Sequence, residues 1–580
     1  MKFRLRERET GRLNWVNARS VVLNGREDLG KLDPALDRVL TRDLGIQYLH
    51  EKLCPVLFFN GKAGLFCVQA ARFEDQTLAT LDLLADRGYT LSDPAIYILP
   101  LSLLLSLNEQ DSQLGRQSAL ARVDQPGQRS SMVAAFDEIL QWACDHHASD
   151  IHVNIDRASP HSVVRFTIGG RYVQSERFGS MSTNMLLDML SVLWMDVIGG
   201  NGAVFDPNVE QQGRMHRLVQ GKPVQIRWAS LAADQGPSVC LRLLAMDQRV
   251  TTPSLAALGY LPSQVLALQR CQSTTGGAII LAGAVGSGKS TTIATLMRQI
   301  PSQRKVITIE DPVEYLIPHA LQNTVARDLS QDDLSAFDAK LKAVKRCAMN
   351  DLLIGEIRDQ VGGRAFIDLA GTGVSLYTTV HASSALLIAE RLSCELIGVP
   401  RALLSTPGVL KLLVHQRLLP TICQECGLTL NEMLCAKDWR CAIGESRDSH
   451  WKQRWVRQIE QSLKSDICAI RFRRASGCGA CRTAGLEELN GINGRTVVSE
   501  LIEPGLEQAF LRCLSSHQPL SLQQWFDARP RAALSDEDMT GKSSLHCALF
   551  KMLDGQIDPR DIEIHFIDVS RWKEQTVDAA

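Results

Sequence analysis

The sequence predicts an α/β protein organised around a parallel sheet, and three observations predict it. Short apolar strands alternate with helical patterns over residues 249–420. A glycine-rich loop, Gly283-Ala-Val-Gly-Ser-Gly-Lys-Ser290, sits there between a strand pattern and a helix pattern. Two further apolar strands downstream each end in carboxylates, as strands do at the ligand edge of a doubly wound sheet.

Composition agrees with a chain of several packed domains. It has 580 residues, 45% apolar and 22% charged. A formal charge of −1 gives no global attraction for a polyanion. The longest apolar run, Ala95 to Leu107, is interrupted by Pro100 and falls short of the roughly 20 residues that span a bilayer. The first residues are charged with no apolar stretch behind them, unlike a secretory signal. A cytosolic chain is expected, with its 16 cysteines reduced and clustered ones read as metal ligands before disulfides.

Texture divides the chain into five segments. Residues 1–125 carry no readable motif and are expected to form an N-terminal recruitment domain. The polar stretch Asn108 to Ser131 reads as a linker with a turn at Pro126-Gly127. Residues 126–248 read as a small α/β domain: Val133 to Asp145 has helical spacing, and alternating strands come after it, with Gly169-Gly170 as a hairpin turn. Residues 249–420 form the phosphate-loop core, 421–500 a cysteine module, and 501–580 a helical C-terminal part.

The loop residues explain themselves chemically. Gly283, Gly286 and Gly288, with Ser287 among them, let backbone N–H groups turn toward phosphates, and the helix that opens at Lys289, Ser290 and Thr291 adds its positive end. Lys289 is expected to reach the β- and γ-phosphates of ATP, and Ser290 to bind Mg2+. The alternative is a glycine-rich turn with an exposed lysine. Of the two acidic strand ends, Val306 to Glu314 and Asp351 to Asp359, Glu310 is assigned beside the metal and Glu356 to orienting water. For either acid alone, a solvated loop carboxylate is the competing reading.

Three stretches together resemble the ATPase family of type II secretion and type IV pilus assembly. Ile307-Thr-Ile-Glu-Asp-Pro-Val-Glu is similar to its Asp box, Gly355-Glu-Ile-Arg-Asp to its Walker B end, and Leu376-Tyr-Thr-Thr-Val-His-Ala to its His box. Upstream, Ala148-Ser-Asp-Ile-His152, Gln212-Gly-Arg, Ile226-Arg227 and Cys240-Leu-Arg242 resemble the preceding domain. Downstream, the resemblance runs through His415-Gln-Arg-Leu-Leu to the segment that starts at Lys551, so it covers about residues 132–565.

The resemblance implies a RecA-like P-loop motor preceded by a PAS-like α/β domain, with a zinc-binding insert and a helical C-terminal part. It implies that Arg227 and Arg242 close over the nucleotide, and that His381 contacts the γ-phosphate region. A strand arginine facing solvent and a structural histidine are the plain alternatives. The sequence departs from the family at Val374, where a second histidine is usual, at Asn350 before the Walker B strand, and at Ala284 and Val285 in the loop. Metal geometry and rate are the properties those departures bear on.

Cys423-Gln-Glu-Cys426 and Cys478-Gly-Ala-Cys481 can supply four thiolates to a tetrahedral Zn2+. The segment between the pairs is longer than in a compact zinc ribbon, and it holds Cys435, Cys441 and Cys468 as competing ligands. Unligated reduced cysteine is the alternative. Gly494-Arg-Thr-Val-Val-Ser-Glu resembles the stretch after the second pair in assembly motors, and retraction motors lack this insert. The resemblance therefore implies a cytoplasmic homo-hexamer, bound to an inner-membrane platform protein, that drives a type IV pilus or a type II pseudopilus. The run Thr378-Thr-Val-His-Ala-Ser-Ser-Ala also resembles motors of plasmid-encoded thin conjugative pili. Two other classes compete: a nucleic-acid translocase, disfavoured by the near-neutral charge, and an ATP-binding scaffold with little turnover.

Overall fold

The computed structural model describes residues 20–572 apart from Asn24, 47–48, 113–125, 247–252, 326–333, Asp438, Ala484 and 517–518. The chain divides into two compact units, Met1–Leu244 and Ala245–Ala580.

The first unit holds two sheets. β1 (Ser20–Val22), β2 (Leu36–Val39), β3 (Leu53–Phe58), β4 (Ala63–Cys67) and β5 (Leu91–Ile98) pair in the order β1-β5-β4-β3-β2. β3 and β4 are apolar on both faces because each face is covered. Leu53 and Leu65 pack with Leu81 and Leu84 of the Asp75–Asp86 helix, while Val56 and Phe66 pack with Leu103, Leu104 and Leu107 of the Leu101–Ser112 helix.

The second sheet contains β6 (Ala148–Asn154), β7 (His161–Ile168), β8 (Arg171–Gln174), β9 (Met181–Ser182), β10 (Gln211–Val219), β11 (Lys222–Leu231) and β12 (Ser238–Ala245). Its order is β10-β11-β12-β6-β7-β8, with β9 against β7. Gly169 and Gly170, at φ +58° and +79°, make the two-residue turn between β7 and β8. β7 alternates as a half-covered strand should: Val164, Phe166 and Ile168 are buried, and Arg165 and Thr167 face the other way. Trp142 of the Pro126–Asp145 helix packs on Phe166, with ring centres 4.4 Å apart.

The linker reading of Asn108 to Ser131 needs correction. Asn108 is buried within the Leu101–Ser112 helix, where its amide donates to the His50 and Leu53 carbonyls, and Ser131 is buried in the Pro126–Asp145 helix. The polar residues belong to two helices, and Pro126-Gly127 opens the second of them instead of a turn. What is left of the linker, residues 113–125, lies outside the described residues.

The second unit is built on β13 (Ala278–Ala282), β14 (Val306–Glu310), β15 (Ala320–Thr324), β16 (Asp351–Ile354), β17 (Ser375–Val380), β18 (Leu410–Ile422) and β19 (Ile492–Ile502). The order is β15-β14-β16-β17-β13-β18-β19, parallel throughout except for β19. The central strands β13, β16 and β17 are buried along their whole lengths, which is why they read as continuous apolar runs. Alternate residues supply opposite cores: Ile280 and Ile354 on one face, Ile279, Leu281 and Tyr377 on the other.

Two details differ from the segments read in the sequence. β18 runs to Ile422 and pairs antiparallel with β19, with Ile422 opposite Ile492. The cysteine module is therefore the long loop of a hairpin within the core sheet. The lower edge of the sheet is pinned by Asp351 at the start of β16. It is fully buried and accepts a two-pronged hydrogen bond from the Arg304 guanidinium, Nε to Oδ2 at 2.8 Å. Arg304 also donates to Ser375 at the start of β17 and to the Gln272 carbonyl.

Removing one partner leaves the other charge buried without compensation. Arg304→Met should destabilise the Ala245–Ala580 unit by about 3 kcal/mol, and adding Asp351→Leu should recover part of that. Chemical unfolding followed by tryptophan fluorescence checks both; a single variant as stable as the parent contradicts the pinning role.

Candidate functional site

β13 ends at Ala282, and the chain turns sharply at Gly283, φ +152°. No larger residue fits there: a Cβ would lie 2.4 Å from the Gln416 carbonyl oxygen and 2.5 Å from Ser287 Oγ. Gly286 and Gly288 are left-handed, at φ +76° and +84°, and Lys289–Gln299 then runs as a helix. Among the described residues, the N–H groups of Val285, Gly286 and Gly288 donate to no other group of the protein. The loop thus presents unpaired donors beside a helix N-terminus, an arrangement suited to an anion.

Lys289 Nζ donates to the carbonyls of Gly283 at 2.8 Å and Ala284 at 2.9 Å. Burial lowers its pKa from the ordinary lysine value, and the Glu356 and Glu314 carboxylates act against that shift. Ser290 is exposed in the first helical turn. The Thr291 hydroxyl lies 2.9 Å from that of Tyr315, so this side chain is already engaged.

The acids stand on neighbouring strands. Glu310 closes β14, where Gln322 Nε2 donates to its Oε1 at 3.2 Å. Burial raises its carboxyl above the usual carboxylate range, and the Gln322 bond pulls the other way. Glu356 lies just past the end of β16. Its Oε1 is 3.0 Å from His381 Nε2, and His381 Nδ1 is 3.2 Å from the Gly283 carbonyl. One imidazole therefore bridges the loop and the Glu356 carboxylate. Both of its partners are acceptors. One strand, β17, separates β13 from β16, and His381 comes off its upper end. Lys289, Gly283, His381 and Glu356 are thereby assembled at one edge of the sheet.

Arg227 and Arg242 belong to the other unit. They occupy adjacent strands, β11 and β12, and alternate with the buried Ile226, Trp228, Val239 and Leu241, so they share the polar face of that sheet. Arg242 Nε donates to Asp150 Oδ1 at 2.9 Å, within the Ala-Ser-Asp-Ile-His segment.

Two of the family departures fall away from the strand ends that carry Glu356 and His381. Asn350 precedes β16 and Val374 precedes β17, so each lies roughly 20 Å along the strand from Glu356 or His381. Asn350 Oδ1 accepts from the Lys305 N–H, and Val374 packs against the core. Ala284 and Val285 do lie in the loop, both exposed.

Three residues carry the site without having been singled out from the sequence. Gln416 on β18 donates to the Ser287 carbonyl at 2.7 Å. Tyr260 donates to Gln416 Oε1 at 2.6 Å. Glu500 on β19 accepts from the Ala385 N–H at 2.7 Å and the Ser544 N–H at 2.9 Å, which ties the segment after His381 to the Ser544–Leu553 helix. Burial raises the Glu500 carboxyl pKa. These residues are far from the loop in sequence; Gln416 and Glu500 lie in stretches that resemble the family, but nothing in those stretches shows what they touch.

The cysteine module forms a second centre. Sγ of Cys423 is 3.8 Å from that of Cys478, Cys426 is 3.6 Å from Cys481, and Cys478 is 3.7 Å from Cys481. Four sulfurs at the corners of a tetrahedron, each about 2.3 Å from a zinc ion, are about 3.8 Å apart, so the set fits that metal's geometry. Backbone N–H groups of Cys478 and Gly491 point at Cys481 Sγ, at 3.2 and 3.3 Å, as donors to a thiolate would. Cys435 and Cys468 are exposed elsewhere, and Cys441 is buried with Trp439 and Trp455 in a separate core. Among the described residues only the four gather.

Sheet order, phosphate loop and acidic strand ends define a RecA-like α/β protein with a tetracysteine insert. Residues 127–529 match the family model described as "Type II/IV secretion system protein", and the chain belongs to that family. It is 28% identical over 375 residues to the type II secretion system protein E of Dickeya dadantii (strain 3937), covering 64% of this chain and 65% of that protein. It is 24% identical over 375 residues to the type II secretion system ATPase E of Vibrio cholerae serotype O1, covering 64% and 66%. The chain thus spans just under two thirds of the length of these relatives. The solved structure of the Legionella pneumophila ATPase DotB is similar at 18% identity with a TM-score of 0.45, over 74% of this chain and 94% of DotB. Among the described residues no helix is long and apolar enough to cross a membrane.

Proposed function

We propose that this chain is an ATP hydrolase whose turnover drives assembly of a type IV pilus, a thin conjugative pilus included, or of a type II secretion pseudopilus. The observation that carries the reading is the meeting of Lys289, Gly283, His381 and Glu356 beside a loop of unpaired N–H groups. Phosphate oxygens of ATP suit the N–H groups from Gly283 to Thr291. Lys289 would exchange its carbonyl partners for the β- and γ-phosphates. Ser290 and Glu310 would hold Mg2+, which neutralises phosphate charge when bound. Glu356 orients the attacking water, and His381 is suited to respond to the γ-phosphate. From the resemblance, Arg227 and Arg242 contribute guanidinium contacts to phosphate.

Lys289→Ala should lower ATP turnover at least about a hundredfold, as loss of a transition-state charge partner does, and Glu356→Gln should bind ATP without hydrolysing it. Steady-state turnover and filter-bound nucleotide of purified protein decide this. If Glu310→Gln traps nucleotide while Glu356→Gln turns over normally, the two acids have exchanged roles. ATP binding without parental turnover would favour the scaffold alternative, and turnover raised by DNA the translocase.

Cys423, Cys426, Cys478 and Cys481 hold one structural Zn2+ in this reading, and the insert, absent from retraction motors, supports the assembly branch. Binding free energy at such a site is also folding free energy. Cys478→Ala should lower zinc content and loosen residues 423–491, read by elemental analysis and limited proteolysis. Protein prepared without chelator that contains no zinc would contradict it.

The working particle is a homo-hexameric ring, held peripherally at the cytoplasmic face of the bacterial inner membrane by a platform protein. The family and the type II secretion names of its relatives support this. Sedimentation with a non-hydrolysable ATP analogue should show the ring, weakened in Arg227→Ala. A monomer with full activity at every concentration would overturn it.

A further inference from the structure

The Ser287 carbonyl lies in the middle of the phosphate loop and is held by a neighbouring strand. A carbonyl can only accept, so the amide nitrogen of Gln416 must face it, at 2.7 Å. Gln416 Oε1 then faces Tyr260, whose hydroxyl donates at 2.6 Å. Gln416 is fully buried and Tyr260 is 3% exposed, so neither exchanges these bonds for water. The chain Tyr260 to Gln416 to Ser287 has one direction, set by the carbonyl at its end.

That direction fixes the neighbouring N–H as well. In a planar trans peptide the C=O and the next N–H point opposite ways. Holding the Ser287 carbonyl toward β18 turns the Gly288 N–H away from β18, into the hollow of the loop. Gly288 takes a left-handed φ of +84°, and its N–H has no partner among the described residues. β18 also packs tightly beneath it: a Cβ on Gly288 would lie 3.2 Å from Leu418 and 3.3 Å from the Gln416 amide nitrogen.

We propose that Gln416, oriented by Tyr260, is a positioning residue that aims the Gly288 N–H at the phosphates of the bound nucleotide. The inference rests on the ATP reading of this site. The N–H serves phosphate oxygens present in substrate and product alike, so its loss weakens ATP and ADP together. Uniform binding of this kind appears in KM rather than in kcat.

The test uses the full chain with ADP and ATP as probes. Gln416→Met keeps the side-chain length and removes both polar ends. Its ADP Kd by calorimetry and its KM for ATP should rise together by about tenfold, the scale of one lost hydrogen bond beside an unpaired carbonyl. Its kcat at saturating ATP should stay within about threefold of the parent. Tyr260→Phe leaves the amide present but undirected and should give the same pattern at about threefold; it also carries the test should Gln416→Met fail to fold. Lower kcat with unchanged KM and ADP affinity would mean loss of folded protein rather than of aim, and would overturn the proposal. If the parent binds ADP and both variants bind it equally well, the positioning role falls while the ATP reading stands. If the parent itself binds no ADP, both fall.

Discussion

A loop that leaves its own N–H groups unpaired must be held in shape by something else. Among the described residues the N–H groups of Val285, Gly286 and Gly288 donate to no group of the protein, so the conformation from Gly283 to Lys289 depends on what surrounds it. Three supports are visible. β13 enters from a fully buried position in the sheet, Lys289 draws the first two carbonyls together, and Gln416 holds the Ser287 carbonyl from the next strand. The glycines belong to the same constraint. At Gly283 the Gln416 backbone leaves no room for a side chain, so the loop and β18 are packed as one body.

β18 connects this support to the rest of the unit. At Gln416 it holds the loop, and its partner β19 carries Glu500, which receives one N–H from the segment after His381 and another from the Ser544–Leu553 helix. His415 lies directly opposite Glu500 in the register, and burial lowers its pKa to about 4. At its far end the same hairpin opens into the four cysteines, where the Cys423 N–H donates to the Gly491 carbonyl. The cysteine module is thus continuous with the two strands that support the glycine-rich loop and the His381 segment. A metal that tightens the four sulfurs would stiffen the end of a hairpin whose other end holds the glycine-rich loop and the His381 segment.

Legibility in the sequence tracked distance along the chain. Strand, loop and helix around Lys289 are contiguous, and the strand-end acids Glu310 and Glu356 each sit at the end of their own apolar run, so all three read directly. The cysteine pairs were legible as pairs, but the sequence left Cys435, Cys441 and Cys468 open as ligands. The fold removes them: Cys441 is buried with tryptophans, and the other two are exposed away from the cluster. Asn108 to Ser131 misled because a stretch rich in Gln, Ser and Arg with a Pro-Gly pair is typical of linkers. In this chain Asn108 is buried within a helix and bonded to backbone carbonyls, so a polar residue marks a packed position. Tyr260 had no legible signal, and Glu500 was marked only as the end of a family-like stretch; the partner of each lies more than a hundred residues away.

The sequence by itself determined the groups available: a glycine-rich loop before a helix, two carboxylates and a histidine at strand ends, and four thiols in two pairs. Residue type and short-range spacing carry that information, because a glycine turn, a helix N-terminus and a Cys-x-x-Cys knuckle are each local structures. Only the tertiary structure decided which groups meet. It set His381 between Gly283 and Glu356, moved the Asn350 and Val374 departures to the opposite edge of the sheet, and made the cysteine module the tip of a core hairpin. The physical reason is strand order. Parallel strands joined by helical crossovers become neighbours through burial of both faces of the sheet, and that neighbourhood is a property of the packed whole rather than of any one segment.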